Sequence, residues 1–215
     1  GQWEVALSLL ASVFRLALEP SVVTCNSAIK ACERCGRWAA ALVLLQEMRS
    51  VALEAGVVAR NSAAGACETA GMWEVALDLL LPQRHSGHLP DAIAWGGGLR
   101  AARQGCQPTL ALELLQEMRR AAAEVHAIAC SVAISACEKA GRWELALDVL
   151  AGMKLRGPEP NVVTYSALVS ACEKGRQWER ALALLHEASR RGLRPNAVTF
   201  NAAISACEKG EQWER

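Results

Sequence analysis

The chain has 215 residues, of which 23 are Lys or Arg and 22 are Asp or Glu, so its formal net charge is only +1. This balance argues against a strongly basic nucleic-acid clamp, although charges sorted onto different faces would still allow nucleic acid to bind. Only 5% of the residues are aromatic and 52% are hydrophobic, which favours helices packed through small and branched side chains. No apolar run approaches the ~20 residues of a membrane span, so we expect no membrane partner.

A fixed spacing of 35 residues organises the whole chain. One tryptophan per period falls on this spacing, with Pro108 as the single interruption, and one alanine and two leucines per period align in the same way. The aligned residues are Trp3, Trp38, Trp73, Trp143, Trp178 and Trp213; Ala6, Ala41, Ala76, Ala111, Ala146 and Ala181; Leu7, Leu42, Leu77, Leu112, Leu147 and Leu182; and Leu10, Leu45, Leu80, Leu115, Leu150 and Leu185. A period of this length indicates an array of stacked structural repeats.

Taken in chain order, the spacing predicts a half repeat, five full repeats and a truncated repeat. Their bounds are 1–21; 22–56, 57–91, 92–126, 127–161 and 162–196; and 197–215. Each full repeat is predicted to hold two helices, such as Val162–Lys174 and Trp178–Arg190, because apolar residues recur there at helical spacing. Two helices of about 12 residues cannot bury their apolar faces alone, so we expect an all-α, right-handed α-solenoid, or superhelix.

Turn residues separate the two predicted helices of a repeat and end the repeat. Glycine marks the short turn, and proline followed by a short polar residue marks the loop, which stops one helix and caps the next. The glycines are Gly36, Gly71, Gly141, Gly175 and Gly210, and the prolines are Pro20, Pro90, Pro160 and Pro195. The chain begins without Met and ends inside a repeat, so we expect it to be a piece of a longer protein.

Repeat 92–126 is predicted to be degenerate and locally loose. Gly96-Gly97-Gly98 fall where its first helix should run, and each glycine costs up to ~1 kcal/mol against alanine in a helix. Cys106 stands where other repeats have the turn glycine. Pro108 is better tolerated, because the first position of a helix needs no amide hydrogen.

The cysteines and histidines do not form a recognisable metal or catalytic pattern. Of the nine cysteines, five occupy one repeat position, which predicts small buried residues rather than a disulfide framework: Cys32, Cys67, Cys137, Cys172 and Cys207. Cys32 and Cys35 form a C-x-x-C, but no second pair completes a tetrahedral site, and His85 and His88 lack an obvious third ligand. We therefore expect no cofactor, no metal and no catalytic activity in this segment.

The motifs at the ends of the repeats resemble those of the pentatricopeptide repeat. Val162-Val163-Thr164-Tyr165-Ser166, preceded by Asn161, matches the opening of that repeat, and Gly192-Leu193-Arg194-Pro195-Asn196 matches its end. The tetratricopeptide repeat is the nearest rival, but its period is 34 residues and its W-x2-L-G-x2-Y signature is absent here. The resemblance implies that the protein binds single-stranded RNA, one base per repeat, through a few side chains.

In that family the second residue of each repeat wedges between neighbouring bases. The matching residues, which we call the wedge column, are Val23, Val58, Ile93, Ile128, Val163 and Val198. All six are branched aliphatics, which are stiff at χ1 and suit a fixed spacer. The alternative is that they are ordinary core residues at the start of a helix.

The resemblance also implies that the fifth and the last residue of each repeat face the base edge. The fifth-position column comprises Asn26, Asn61, Gly96, Ser131, Ser166 and Asn201, and the last-position column comprises Ser21, Gly56, Asp91, His126, Asn161 and Asn196. Alternatively, the fifth-position residues sit in the tolerant first turn of a helix, and the last-position residues are helix N-caps.

Carried over repeat by repeat, these pairs imply a short RNA target. Asn61 with Asp91 resembles the pair that selects uracil, whereas Ser131 with Asn161, and Ser166 with Asn196, resemble pairs that select adenine. Asn26 with Gly56, and Asn201 alone, suggest a pyrimidine, and Gly96 with His126 fits no pair. The implied target is 5′-Y-U-N-A-A-Y-3′, with the RNA parallel to the chain.

A basic residue near the end of the first helix reaches phosphate in this family. The matching residues, which we call the phosphate column, are Arg34, Lys139, Lys174 and Lys209, whereas Thr69 and Gln104 depart from the pattern. Each of these cations follows a glutamate, so an alternating, solvated charged face is an equal alternative.

The resemblance implies a role in organellar RNA processing, stability, editing or translation, in mitochondria or chloroplasts, although no targeting segment is recognisable. Two other functions stay open. The near-neutral charge would suit a protein-interaction scaffold, and the segment could be the RNA-binding part of a larger RNA-processing enzyme. A basic groove lined by the first helices would favour RNA, whereas an apolar groove would favour a protein partner.

Overall fold

The computed structural model describes residues 2–15, 21–81 and 90–210, and in this part of the chain it contains twelve helices and no strand. The helices are α1 (Gln2–Arg15), α2 (Val22–Arg34), α3 (Trp38–Ser50), α4 (Val57–Thr69), α5 (Trp73–Leu80), α6 (Ala92–Gln104), α7 (Pro108–Arg120), α8 (Ala127–Lys139), α9 (Trp143–Arg156), α10 (Val162–Lys174), α11 (Trp178–Arg190) and α12 (Ala197–Lys209). The predicted fold class, an all-α repeat solenoid, is confirmed. Some residues named above lie outside the described part of the chain: Pro20, His85, His88, the side chain of Trp3, and residues 211–215 of the truncated repeat, which include Trp213.

The first helix of each repeat begins 35 residues after the previous one. These first helices are α2, α4, α6, α8, α10 and α12, and the second helices are α3, α5, α7, α9 and α11. Within the described residues, no helix combines the length and hydropathy that crossing a membrane would require.

Side-chain caps explain where several first helices start. The Ser21 hydroxyl accepts the backbone N–H of Thr24 at 3.1 Å, and the Thr24 hydroxyl accepts the N–H of Ser21 at 3.0 Å, which makes a reciprocal capping box. Asn161 and Thr164 form the same box at the start of α10. These caps satisfy amide groups that the first turn of a helix leaves without partners.

The short turns after the first helices need one residue in the left-handed region. Gly36, Gly71 and Gly141 fill this position with φ between 62° and 78°, where glycine carries no Cβ penalty. In the other two described turns Cys106 and Arg176 adopt φ values of 51° and 55°. Gly175 and Gly210 lie one residue before this position and have negative φ. A left-handed backbone therefore does not explain why these two residues are glycine.

Gly175 and Gly210 leave room for the tryptophan of the preceding repeat. A Cβ atom added at Gly175 would overlap the Cδ1 atom of Trp143, and one added at Gly210 would overlap Cδ1 of Trp178. The Trp143 ring also stacks with Arg180, whose guanidinium carbon lies 4.1 Å from the ring centroid. The tryptophan of one repeat thus packs directly against the backbone that ends the next first helix.

The chain forms two compact bodies, residues 1–101 and residues 102–215. In the N-terminal body α2 packs against α4, and α3 packs against both; Ile29, Cys32, Ala41 and Met48 are buried among them. In the C-terminal body α10 packs between α8 and α12. The second helix α9 contacts α8 and α10, and α11 contacts α10 and α12.

The cysteine column is buried, as predicted. Its five members are 0–9% exposed, and all nine cysteines of the chain are free thiols. Burial raises the pKa of the thiols of Cys67, Cys137 and Cys172 to about 11. These side chains therefore stay protonated at neutral pH and act as small apolar core residues.

The glycines of repeat 92–126 do not interrupt its first helix. Helix α6 runs continuously through Gly96, Gly97 and Gly98, and α7 begins at Pro108, as the tolerance of proline at a first helical position predicts. The local looseness predicted for this repeat stays a prediction.

Candidate nucleic-acid interface

The members of the wedge column are exposed aliphatic side chains. All six members are between 62% and 74% exposed, although each lies in the first turn of a first helix. The alternative that they are core residues is therefore wrong. Exposed branched aliphatics at one fixed position of every repeat leave apolar surface available for a flat, apolar partner such as a base.

In the N-terminal body a groove of about 430 Å³ lies between α2 and α4. Its lining is Val23, Asn26, Ser27, Lys30, Ala31, Arg34, Cys35, Val58 and Ser62. The groove thus brings together two wedge residues, one fifth-position residue and one member of the phosphate column. Its lining includes two cations, of which Lys30 is paired with a carboxylate, because its Nζ lies 2.8 Å from Glu33 Oε2.

In repeat 57–91 the fifth and the last residue contact each other. The Nδ2 amide of Asn61 donates to both carboxylate oxygens of Asp91, at 3.3 Å to Oδ1 and 3.2 Å to Oδ2. Asp91 also caps α6, because its Oδ1 accepts the N–H of Ala94 at 2.7 Å. Asp91 is exposed, and a carboxylate can only accept further hydrogen bonds.

In repeats 127–161 and 162–196 a threonine bridges the two positions. Ser131 Oγ lies 3.0 Å from Thr164 Oγ1, which lies 3.1 Å from Asn161 Oδ1. In the same way Ser166 Oγ lies 2.5 Å from Thr199 Oγ1, which donates to Asn196 Oδ1 at 2.9 Å. Each bridging threonine is the third residue of the following repeat. The V-V-T motif contains one of these threonines, but the pattern within a single repeat predicts no role for either.

The bridge fixes the orientation of the asparagine amide. Asn161 Oδ1 also accepts the backbone N–H of Thr164 at 3.0 Å, and Asn196 Oδ1 accepts that of Thr199 at 3.0 Å. Both oxygens are therefore used inside the protein, and the Nδ2 groups are left as donors. The alternative that the last-position residues are N-caps is thus correct for these residues, and it coexists with a defined hydrogen-bonding polarity towards a ligand.

The remaining base-reading candidates differ in exposure. Ser131 is buried and donates to the carbonyl of Ala127 at 2.9 Å, so its hydroxyl is turned into the protein rather than towards solvent. Asn26 is half-buried in the groove, and Asn201 is exposed. All fifth-position residues lie four residues after the start of their helix, beyond its first turn. The alternative that they occupy the first turn is therefore wrong.

Members of the phosphate column bind the glutamate of the preceding repeat. Lys174 Nζ lies 3.0 Å from Glu138 Oε1, and Lys209 Nζ lies 2.7 Å from Glu173 Oε1. Burial of Glu173 acts to raise its pKa, but the hydrogen bonds from Lys209 and Ser205 outweigh it and lower the pKa of this carboxyl. These pairs connect neighbouring repeats, so the face is more than a row of solvated charges. Arg34 and Lys139 are exposed and form no ion pair within the described residues.

Within the part of the chain that the structure describes, no group of three or more His, Cys, Asp or Glu side chains is arranged to hold a metal ion. Of the C-x-x-C cysteines, Cys32 is buried and Cys35 is exposed.

Comparison with known proteins gives matches to one family. Family models described as "PPR repeat", "PPR repeat family" and "Pentatricopeptide repeat domain" match residues 23–51, 125–174 and 159–210, and together these segments cover more than half of the chain. A search of the curated proteins gives no significant match.

Solved structures of pentatricopeptide repeat proteins have the same fold. PPR10 in complex with an 18-nt psaJ RNA element is 30% identical, with a TM-score of 0.78 over 100% of this chain and 31% of that chain. A second crystal structure, of PPR10 from maize, is 28% identical, with a TM-score of 0.72 over 96% of this chain and 30% of that one.

A more distant match shows the fold alone. The PPR domain of Arabidopsis thaliana protein-only RNase P 1, in complex with tRNA, is 16% identical, with a TM-score of 0.71 over 85% of this chain and 96% of that chain. The chain spans about a third of the PPR10 chains that it matches. The matched repeat models and the shared fold lead to one conclusion: this chain belongs to the pentatricopeptide repeat family.

Proposed function

We propose that the chain binds single-stranded RNA selectively, one base per repeat. The observation that carries this proposal is the exposed wedge column, which runs beside polar pairs at fixed positions of the same helices. The similarity to PPR10, which was solved in complex with an 18-nt RNA element, supports RNA as the ligand. In the groove between α2 and α4, Val23 and Val58 would hold one base between them, with Asn26 at its edge.

The selectivity follows from hydrogen-bond polarity at the last position. Asp91 can only accept, so it complements the N3–H group of uracil. The outward Nδ2 groups of Asn161 and Asn196 can only donate, because their oxygens are used by caps and threonines. Such a donor complements the N1 acceptor of adenine and does not match the N3–H of uracil. These assignments give the target 5′-Y-U-N-A-A-Y-3′.

Phosphate contacts would come from the cations near the ends of the first helices. Arg34 and Lys139 have no ion pair to break within the described residues, so they are the stronger candidates. Lys174 and Lys209 would have to share their charge between a phosphate and the glutamate of the preceding repeat. Their contribution to affinity should therefore be smaller.

The test is a binding titration with short oligonucleotides at a stated salt concentration, because phosphate contacts make affinity salt-dependent. One oligonucleotide contains the predicted target, and its partner has the same composition in scrambled order. We expect the target to bind roughly ten-fold more tightly. Equal affinities would exclude base selectivity.

A variant with Ser166→Asn and Asn196→Asp provides the matched control. It replaces the donor of this repeat by an acceptor, while an aspartate at position 196 can still cap α12. We expect the preferred fifth base to change from adenine to uracil and the preference at the fourth base, assigned to Ser131 and Asn161, to stay. An unchanged fifth-base preference would contradict the two-residue assignment.

We further propose that this RNA binding serves RNA processing, stability, editing or translation in a mitochondrion or chloroplast, as the family resemblance implies. We propose no catalytic role for this segment. Expression of the protein with a fluorescent tag would test this localisation, and a signal outside both organelles would contradict it.

A protein-interaction scaffold is the second candidate, and one observation favours it. A groove of about 750 Å³ in the N-terminal body lies between α1 and α3 and is lined mainly by apolar residues: Leu7, Leu10, Ala39, Ala40, Val43, Leu44, Glu47, Ser50 and Val51. A partner there would contact α1 and the second helix α3, and the groove between α2 and α4 would stay open to RNA. Substitution of Val43 by Lys would then abolish protein binding and leave RNA affinity unchanged.

A further inference from the structure

In repeat 92–126 the fifth position is Gly96, but the space beside it is not empty. The Nη1 atom of Arg100 lies 3.3 Å from the place where a Cβ atom of Gly96 would be. Arg100 is four residues further along α6, one turn away, so its side chain folds back over the glycine. A guanidinium group thus occupies the place where neighbouring repeats have an asparagine or serine side chain.

Arg100 is held in this place by Glu68 of the preceding repeat. Its Nε donates to Glu68 Oε2 at 2.8 Å, and its Nη2 donates to Glu68 Oε1 at 3.4 Å. The side chain of Glu68 is only 10% exposed, whereas that of Arg100 is 47% exposed. One edge of the guanidinium is therefore anchored by a two-point ion pair, and the Nη1 group points away from that anchor. A planar fork fixed in this way loses little conformational entropy when it binds a ligand.

The glycines of α6 make this arrangement possible. A Cβ atom at Gly97 would lie 2.9 Å from Glu68 Oε1 and 2.8 Å from Leu80 Cδ1, closer than such atoms pack. A Cβ atom at Gly96 would meet the guanidinium itself. The glycines that cost helix stability therefore provide the space in which the Glu68–Arg100 pair lies.

The position of Arg100 within its repeat matches that of a groove residue in the N-terminal body. Lys30, which occupies the same position two repeats earlier, lines the groove between α2 and α4 with Val23 and Asn26. A cation at this position thus lies on the face that we propose for RNA. Arg100 follows Gly96 by four residues in its helix, as Lys30 follows Asn26.

We propose that Arg100 reads the third base of the target and selects guanine. This inference rests on the proposed function and assigns the one internal base that the fifth- and last-position pairs leave open. A guanidinium offers donors only, and guanine presents two adjacent acceptors, O6 and N7, that pair with such a fork. On the hydrogen-bonding edges of adenine and uracil each acceptor has a donor next to it, so a fork of two donors cannot pair with both atoms. Cytosine also has two adjacent acceptors, O2 and N3, so it is the competitor that the comparison of the four bases must separate from guanine. The target becomes 5′-Y-U-G-A-A-Y-3′.

The experiment measures binding of four oligonucleotides that differ only at the third base. For the unmodified chain we expect the guanine oligonucleotide to bind roughly ten-fold more tightly than the other three, within the range of a bidentate arginine–guanine pair. Arg100→Lys keeps the positive charge beside Glu68 but removes the fork. In this variant we expect the four affinities to become equal, with the guanine oligonucleotide losing most. Arg190→Lys, an exposed exchange on the second helix α11, is the matched control and should keep the guanine preference.

A second set of four oligonucleotides, which differ only at the second base, separates failure of this inference from failure of the proposed function. The assignment of Arg100 is wrong if uracil is preferred at the second base while the third base shows no preference. It is also wrong if cytosine, adenine or uracil is preferred at the third base. A guanine preference that survives in Arg100→Lys would also overturn it, as would an equal loss for all four bases, because that is the signature of a phosphate contact. If the second base shows no preference either, the proposed function itself fails. Far-ultraviolet circular dichroism of each variant checks that the helices are retained.

Discussion

The amide of Asn61 donates to both carboxylate oxygens of Asp91, at 3.3 and 3.2 Å, although the two residues are 30 positions apart in the chain. The fifth and the last residue of repeat 57–91 therefore form one hydrogen-bonded unit. Its outward chemistry is set by the carboxylate, which is exposed and also caps α6 through Ala94. An acceptor at this place explains why uracil is the proposed second base.

Replacing Asp91 by Asn should abolish the uracil preference without unfolding the protein. The new side chain can still cap α6 with its oxygen, so stability should change by less than about 1 kcal/mol. Its amide would then face the base as a donor, and one hydrogen bond to the uracil N3–H would be lost. We expect uracil affinity to fall roughly ten-fold, which corresponds to ~1.5 kcal/mol. Titration with oligonucleotides that differ at the second base measures this change.

Two outcomes would distinguish the loss of a hydrogen-bond acceptor at position 91 from the loss of its negative charge. A lower affinity for uracil, together with unchanged or higher affinity for cytosine or adenine, follows from the exchange of an acceptor for a donor. An equal loss for all four bases would instead mean that the charge of Asp91 acts on the groove as a whole, and the assignment of base selectivity to this residue would be wrong.

The wedge column predicts a separation between stability and binding. Val163 is 63% exposed at the start of α10, so Val163→Ala should change the free energy of unfolding by no more than ~0.5 kcal/mol. If the side chain packs against bases, the loss of two methyl groups should lower RNA affinity about five- to ten-fold. Chemical denaturation and a binding titration give the two values.

Leu155→Ala is the matched control for this prediction. Leu155 is also a large exposed aliphatic residue, at 80% exposure, but it lies on the second helix α9. We expect neither stability nor RNA affinity to change appreciably. Equal effects of Val163→Ala and Leu155→Ala on affinity would show that the wedge column has no special role.

The phosphate column predicts a difference between paired and unpaired cations. Lys139 is exposed and forms no ion pair in the described part of the chain, whereas Lys174 binds Glu138. Lys139→Ala should weaken binding of every oligonucleotide to a similar extent and reduce the slope of log affinity against log salt by about 0.7, the value for one phosphate of a single strand. Lys174→Ala should reduce the slope by less. The same slope change in both variants would contradict the competition between glutamate and phosphate.

The repeat spacing was sufficient to predict the helices. The predicted helices Val162–Lys174 and Trp178–Arg190 are α10 and α11 as observed. This success has a physical cause: each repeat packs only against its neighbours, so an error in one repeat does not spread along the chain. The pairing of Asn61 with Asp91 came instead from the resemblance to the pentatricopeptide repeat, and these two side chains are in direct contact.

Contacts between repeats could not be predicted from columns alone. Thr199 links Ser166 to Asn196 only because the start of α12 lies against α10, which a pattern within one repeat does not describe. Arg100 reaches the place beside Gly96 through glycines that the sequence presented only as a helix defect. In both cases the decisive quantity is the path of a side chain in three dimensions.

Glu187 predicts an acid-sensitive link between second helices of the C-terminal body. Its Oε1 atom accepts from Lys154 of α9 at 2.6 Å, from the Tyr165 hydroxyl at 2.9 Å and from Arg191 at 3.2 Å. Burial of Glu187 acts to raise its pKa, but these donors outweigh it, and the pKa of the carboxyl is lowered. Burial and the bond to Glu187 raise the pKa of Tyr165 to about 12, so the phenol stays neutral as a donor.

A group whose pKa is lower in the folded state stabilises the protein above its unfolded-state pKa and loses that contribution as the pH falls through the folded-state value. The unmodified chain should therefore lose stability as the pH falls below about 4.5, the ordinary value for glutamate. Glu187→Gln should lower the free energy of unfolding at pH 7 by about 1–2 kcal/mol and flatten its decline between pH 5 and pH 3. Glu179→Gln, an exposed exchange on the same helix, should leave both unchanged. Urea denaturation across this pH range measures the effect, and an equally steep decline in Glu187→Gln would show that the acid sensitivity arises elsewhere.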